Sequence, residues 1–363
     1  MKRPYYIFSA GRIRRQQNTL FFEKGSDEST HLTPEEMQQD EELLVDSLDF
    51  ETEKDSRDHV QKRVIPIEDI ESIYVFGEMT LNSKLIHFLS QKHIIAHFFN
   101  YFGFYSSSIV PRDYLLSGEV IVRQVEHYLN QLQRMLIARE FILAAVDNIL
   151  KNLRYYQNRG RNLQAGIDGI EKEREFINSA ETPNQLMTAE GRMREIYFQC
   201  WDEIIDADFR FEQRTRRPPE NALNALISFG NTMLYTTALG EIYHTQLNPT
   251  ISYLHEPGAR RFSLSLDLAE VFKPFIVDRL IFKLLNQNIL QKKHFDEKLK
   301  FCYLNEAGKK IFVQGYDERM KTTIKHKSLG RNISYRRLIR LEAYKLIKHV
   351  TGIKPYKAFR MWW

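Results

Sequence analysis

Apolar and polar positions alternate over short runs in the first hundred or so residues, and recur at three- and four-residue spacing in nearly everything that follows. Tyr5–Ser9, Ile13–Gln16 and Leu20–Glu23 are β-prone runs broken by Ala-Gly and Gln-Asn, the signature of a meander. Arg63–Ile67, Ile70–Phe76, Ile94–Phe99 and Phe104–Val110 predict further strands. Between them, Leu81–His93 carries apolar residues at 81, 85, 86, 88 and 89 and predicts one short amphipathic helix. After Pro111 the period changes. A long helix is expected over 116–156, then helices over 163–180, 184–208, 220–246, 265–287, 305–322 and 334–350. No internal repeat is visible.

The pattern predicts an α+β, two-domain chain. A small N-terminal β domain, a sandwich or roll with one short helix, spans 1–110, and a larger all-α domain spans 111–363. A length of 363 residues agrees, since single cores seldom grow that far. One interruption stands out: Glu23 to Asp58 holds fourteen acids and three basic residues. The segment 24–61 is expected to be an exposed, partly disordered insertion, with a short helix around 33–48 begun by Thr33-Pro34.

Composition narrows the class. The chain is 43% hydrophobic and 27% charged, ordinary for a folded soluble protein. Its two cysteines, Cys200 and Cys302, are too few for a disulfide framework or a thiolate zinc site, and fit a reducing, intracellular setting. No signal peptide is expected at MKRPYYIFSAGRIRRQQ. The uncharged stretch Asn221 to Gly240 contains three asparagines and several hydroxyls, so it reads as a helix buried in a bundle and not as a membrane span.

Net charge is +5, but it is unevenly placed: Lys321 to Trp363 holds twelve Lys or Arg against one acid, Glu342. The other 320 residues hold 40 basic and 46 acidic side chains. A basic lobe on a mildly acidic body points to a polyanionic partner. Ser334 is a natural N-cap, and Arg337, Arg340, Tyr344 and Lys348 form a row beyond it. Arg214, Arg216 and Arg217 sit in the stiff loop RTRRPP. Such arginines suit phosphate oxygens, and the same row suits a solvated helix face.

The candidate chemistry lies in SYLHEPGARRFSLSLDLAE. His255 precedes a turn, and Asp267 and Glu270 share one helix face if the helix starts by Ser265, with Lys273 three residues further along and Pro274 set to kink or restart it. Two carboxylates and one imidazole suit Mg²⁺ or Mn²⁺. A surface histidine followed by a solvated helix whose acids serve the dipole would look the same. The best third ligand is Glu190, in MTAEGRMREIYF, where Met187, Met193, Ile196 and Tyr197 mark a buried face. A simple pair with Arg194 at i+4 is the alternative, and spacing leaves it open.

Taken together, YYIFSAGRIRRQQNTLFFE, IESIYVFGEMTLNSKLIHFLSQKHI, AEGRMREIYF, the run from Arg214 to Leu280, and TTIKHKSLGRNISYRRLIRLEAYKLIKH resemble the CRISPR-associated integrase, the universal adaptation endonuclease, in the version found in subtype I-B systems. The resemblance covers nearly the whole chain apart from the acidic segment 24–61. It implies a β domain followed by an all-α catalytic domain that acts on DNA with Mg²⁺ or Mn²⁺. The metal ligands fall on Glu190, His255 and Glu270, with Asp267 as a companion acid in the catalytic set. It also implies joining of DNA 3′-hydroxyl ends to the edges of a CRISPR repeat. The expected partners are spacer-precursor and repeat DNA, a second copy of the chain bound through the β domain, and a dimer of the second universal adaptation protein, a small ferredoxin-like protein. No membrane partner is implied, and the setting is the prokaryotic cytoplasm. Lys273, Arg260, Arg261 and Arg336, with Arg214, Arg216, Arg217, Arg337 and Arg340, are the expected DNA contacts. A metal-dependent nuclease for branched DNA in repair and a non-catalytic DNA-binding scaffold are the competing readings.

Overall fold

The computed structural model describes residues 2–16, 19–24, 62–112, 114–205, 209–216, 218–258, 262–298, 301–327 and 329–362. The expected acidic insertion beyond Lys24, its short helix, and Arg217, Arg260 and Arg261 lie outside the described residues. The chain divides into two compact units, Met1–Tyr101 with Ser106–Arg112, and Phe102–Tyr105 with Asp113–Trp363.

The first unit holds two sheets. β1 (Arg3–Ile7), β5 (Ile70–Val75), β7 (Ile95–Phe99) and β8 (Tyr105–Ile109) lie in the order β1-β5-β7-β8, with β1, β5 and β7 parallel. β2 (Gly11–Gln16), β3 (Thr19–Lys24) and β4 (Lys62–Pro66) form the antiparallel meander, and β6 (Met79–Thr80) joins its edge, giving β4-β3-β2-β6. Period-2 alternation sends Ile7, Ile73, Val75 and Ala96 of one sheet and Ile13, Leu20 and Ile65 of the other into one core. α1 (Ser83–Gln91) closes it with Leu85, Phe88 and Leu89, and begins at Asn82, whose side chain accepts from the Leu85 amide at 3.0 Å. On the alternate face of the first sheet the same pleat stacks Phe8, Phe76 and Phe99, with ring centroids 4.8 and 4.5 Å apart.

The second unit is predominantly helical. Its elements are α2 (Gly118–Leu129), α3 (Gln131–Gln157), α4 (Gln164–Ser179), α5 (Pro183–Gln199), α6 (Trp201–Ile204), α7 (Ala222–Tyr243), α8 (Ser263–Lys273), α9 (Arg279–Asn286), α10 (Glu306–Lys321) and α11 (Tyr335–Val350). The single long helix expected over 116–156 is in fact two. Asn130 takes an extended conformation, ends α2, and caps α3 by accepting from the Gln133 amide at 3.1 Å. Two short ladders, β9 (Phe295–Lys298) with β10 (Phe301–Leu304) and β11 (Thr323–Lys325) with β12 (Asn332–Ser334), are added to the expected helices. α7 is buried almost all round and packs against α8 and α11, while α3 packs against α4 and α8. Among the described residues no helix is long and apolar enough to cross a membrane.

Pro274 does not end the helical path of α8. It opens a π-helical stretch, Pro274–Asp278, that runs directly into α9. Side chains of neighbouring helices donate to carbonyls around this stretch. Asn148 and Asn152 of α3 donate to Val271 O at 2.9 Å and Pro274 O at 2.7 Å, and Arg319 of α10 donates to Phe275 O at 2.6 Å. In an uninterrupted α-helix, position 278 would be rotated about 80° away from Glu270. The π turns absorb the extra residue and bring Asp278 back to the side of Glu270.

Candidate active site

A cavity of about 1040 Å³ in the helical unit is lined by Glu190, Arg194, His255, Glu270, Lys273 and Asp278, with Arg214, Arg216 and Tyr235 also on its wall. Each acid and the histidine arrive there for a local reason. α5 is started by a reciprocal cap between Thr182 and Gln185 with Pro183 at its first position, which fixes the phase that turns Glu190 and Arg194 inward. The loop before α8 is pinned from within. Ser263 Oγ donates to Thr250 O at 3.0 Å, and Ser252 Oγ donates to His255 O at 2.6 Å.

Asp267 organises that loop. Its Oδ2 accepts from the amides of Tyr253 at 2.7 Å and Leu254 at 3.0 Å. Its Oδ1 accepts from the His255 amide at 3.0 Å and lies 2.7 Å from His255 Nδ1. The carboxylate is fully buried and does not line the cavity. Asp267 therefore holds His255 from outside the cavity. With Nδ1 held by Asp267, the imidazole presents Nε2 on its other side. Burial pulls the His255 pKa down, but the hydrogen bond and charge of Asp267 outweigh it and leave the pKa raised.

Glu270 is 2% exposed, so the expectation of a solvated helix carrying these acids is excluded. Both its oxygens meet cations: Arg194 Nη2 lies 3.0 Å from Oε2, and Lys273 Nζ contacts Oε1. Burial pushes the Glu270 carboxyl up, but Lys273, Arg194 and His255 hold it down at about 2. Lys273 is raised, because Glu270 more than offsets the burial that pulls it down, and its ammonium sits 5.2 Å from the Tyr235 ring centroid. Lys273 is thus tied to Glu270 in this arrangement and not extended towards a phosphate.

The i+4 pair left open by spacing is present, and it is part of something larger. Arg194 Nε lies 3.2 Å from Glu190 Oε1, so one guanidinium bridges Glu190 of α5 to Glu270 of α8. Its remaining nitrogen, Nη1, lies 3.7 Å from Asp278 Oδ2. Burial raises the Asp278 carboxyl to about 7 against the pull of Arg194 and Lys273. Sequence spacing missed Asp278 because only the π stretch brings it to this face; Pro274, four residues after Glu270, was the available signal.

The basic candidates divide. Arg216 is exposed on the cavity wall. Arg214 is half-buried and donates to Asn224 Oδ1 at 2.9 Å and Ser228 Oγ at 3.0 Å, and burial pulls its pKa down to about 10. Arg340 and Arg336, expected in the DNA-facing row, meet an acid of the bundle. Arg340 Nε lies 2.6 Å and Arg336 Nη1 3.8 Å from the carboxylate of buried Glu241 on α7, so both brace the bundle. Arg337 caps nothing itself; its amide donates to Ser334 Oγ at 3.2 Å, which starts α11. Cys200 and Cys302 are buried free thiols, pushed up by burial to about 11 and about 12.

Among the described residues no three His, Cys, Asp or Glu side chains form a ready-made metal cluster. The donor set nevertheless suits a hard divalent ion: Glu190 and Glu270 offer carboxylate oxygens, and His255 offers an imidazole oriented by a buried acid. The positive charge that such an ion would supply is here supplied to Glu270 by Arg194 and Lys273.

The family model for CRISPR associated protein Cas1 matches residues 5–318. The CRISPR-associated endonuclease Cas1 of Fusobacterium nucleatum is 46% identical over 363 residues, covering 100% of this chain and 98% of that protein. CRISPR-associated endonuclease Cas1 3 of Thermodesulfovibrio yellowstonii is 44% identical over 363 residues, covering 99% and 100%. The solved structure of TM1797, a CAS1 protein from Thermotoga maritima, is 38% identical with a TM-score of 0.80, covering 98% of this chain and 99% of that one.

Proposed function

Because the chain belongs to the CRISPR-associated protein Cas1 family, we propose that it is a divalent-metal-dependent DNA endonuclease and integrase of CRISPR adaptation. In this reading it joins the 3′-hydroxyl ends of foreign DNA fragments to the ends of a CRISPR repeat, and water in place of the hydroxyl gives cleavage at the same site. The observation that carries the reading is that Glu190, His255 and Glu270, far apart in sequence, line one cavity.

Glu190, His255 and Glu270 would hold one Mg²⁺ or Mn²⁺. When bound, that ion supplies Lewis-acid polarisation of a phosphoryl oxygen. Asp267 keeps His255 in the tautomer that leaves Nε2 available. Arg216 places an exposed charge where a phosphate backbone would enter, and fixes the strand by position and not by sequence. Two further parts belong to the proposal: a homodimer through the β unit, and assembly with the ferredoxin-like adaptation protein. Two copies suit the chemistry, since each end of a fragment must be joined to one strand of the repeat. The scaffold reading requires acids that merely solvate helices, and the burial of Asp267 and Glu270 disfavours it.

The test is cleavage of linear and branched DNA by the full chain with Mn²⁺ or EDTA. Mn²⁺-dependent cleavage lost in Glu190→Ala supports the reading. Cleavage unchanged in that variant contradicts the site assignment.

A further inference from the structure

We propose that Arg194 is a resident counter-cation of the metal seat, and that Asp278 is the carboxylate that receives it when a divalent ion binds. The proposal rests on the reading of Glu190, His255 and Glu270 as that seat. Three nitrogens of the Arg194 guanidinium each face a different carboxylate: Nε faces Glu190 at 3.2 Å, Nη2 faces Glu270 at 3.0 Å and Nη1 faces Asp278 at 3.7 Å. Two of these are hydrogen bonds and the third is too long to be one. Asp278 Oδ2 is buried and among the described residues has no hydrogen-bond partner, while Arg194 and the Tyr197 hydroxyl both act to hold this carboxyl down.

An unsatisfied buried carboxylate oxygen is costly to keep. Here it stands beside Arg194, the cation that bonds both Glu190 and Glu270. A divalent ion held by Glu190 and Glu270 would take over the oxygens that Arg194 now bonds, and would repel the guanidinium. The displaced cation is buried and cannot simply move into water. A shift of roughly 1 Å towards Asp278 would turn the present long contact into an ordinary charge-assisted hydrogen bond. The π stretch that carries Asp278 to this face is thereby linked to the site, and is itself tied to α3 through Asn152. Asp278 acts as a positioning residue: it touches neither substrate nor metal, and sets how readily Arg194 yields the seat.

Mn²⁺ binding to the full chain, followed by titration calorimetry and by the Mn²⁺-induced rise in melting temperature, tests this without reference to activity. Asp278→Asn should weaken Mn²⁺ binding about 10-fold, on the order of 1.4 kcal/mol. Arg194→Gln should tighten it, and in that background Asp278→Asn should have no further effect. Equal weakening by Asp278→Asn in both backgrounds, or no weakening at all, overturns the proposal. If Arg194→Gln does not fold, by circular dichroism, Arg194→Lys replaces it: the compact ammonium lacks the planar fork whose third nitrogen faces Asp278, so the Asp278→Asn penalty must shrink, and an undiminished penalty overturns the proposal. Wild-type chain that binds no Mn²⁺, or Glu190→Ala that binds it normally, brings down the metal seat and this proposal together. Normal wild-type binding that Glu190→Ala weakens, with Asp278→Asn silent, brings down this proposal alone.

Discussion

His255 Nδ1 lies 2.7 Å from Asp267 Oδ1, and the same buried carboxylate accepts the backbone amides of Tyr253, Leu254 and His255. One acid therefore fixes both the loop and the ring it carries. Asp267→Ala would leave three amides without an acceptor, at ~1–3 kcal/mol each. We expect it to destabilise the chain by at least ~3 kcal/mol in urea unfolding. Asp267→Asn restores an acceptor but not the charge that holds the imidazole. It should stay folded and bind Mn²⁺ about 10–100-fold more weakly by calorimetry.

Lys273 and Glu270 form a buried pair that Arg194 completes. Lys273→Met removes one cation and leaves Glu270 with Arg194 alone. Breaking a buried pair in this way costs ~3–5 kcal/mol. The midpoint of thermal unfolding in EDTA should fall accordingly, and added Mn²⁺ should recover more stability in the variant than in wild type.

Asp278 gives a pH signature. Its carboxyl is raised from 3.8 to about 7 by burial, so the unfolded chain loses this proton at lower pH than the folded chain does. The sign is destabilising: folding is penalised progressively as pH rises between those two values, and carries no such penalty below pH 3.8. Asp278→Asn removes the penalty. In EDTA it should raise stability at pH 8 by on the order of 4 kcal/mol and leave it nearly unchanged at pH 4. Equal effects at both pH values would contradict this.

The arginines separate by burial. Arg216→Ala should leave the melting temperature unchanged, weaken duplex binding and lower the salt slope of log K by about 0.9. Arg340→Ala should do the reverse: it leaves buried Glu241 with only the longer Arg336 contact, so it should destabilise the chain by ~3 kcal/mol and leave the salt slope as it was.

Much of this architecture is legible in the residues. The meander around Ile13 and Leu20 and the helix holding Leu85, Phe88 and Leu89 follow from period alone, because each buries one face. Asn130 shows the limit. Its break between α2 and α3 is a capping decision within an unbroken helical pattern, with no Gly or Pro to mark it. The β9–β10 ladder was hidden for a similar reason: four-residue strands offer too few positions for a period. At the site, spacing placed Asp267 and Glu270 on one helix but not their burial, which decides between ligand and solvated acid. Arg336 and Arg340 read as a basic face because Glu241, their partner, lies about a hundred residues earlier in the chain. Asp278 required the π stretch, and no local pattern announces one beyond Pro274.

The most direct measurement combines a short duplex bearing free 3′-hydroxyl ends with a supercoiled plasmid carrying a CRISPR repeat. Wild-type chain and His255→Ala are compared in Mn²⁺ and in EDTA, with and without the ferredoxin-like partner. The account predicts Mn²⁺-dependent joining of the duplex to the repeat edge by the wild type and none by His255→Ala, with both proteins folded. Joining that persists in EDTA or in His255→Ala would contradict it, as would cleavage of branched DNA with no joining under any condition.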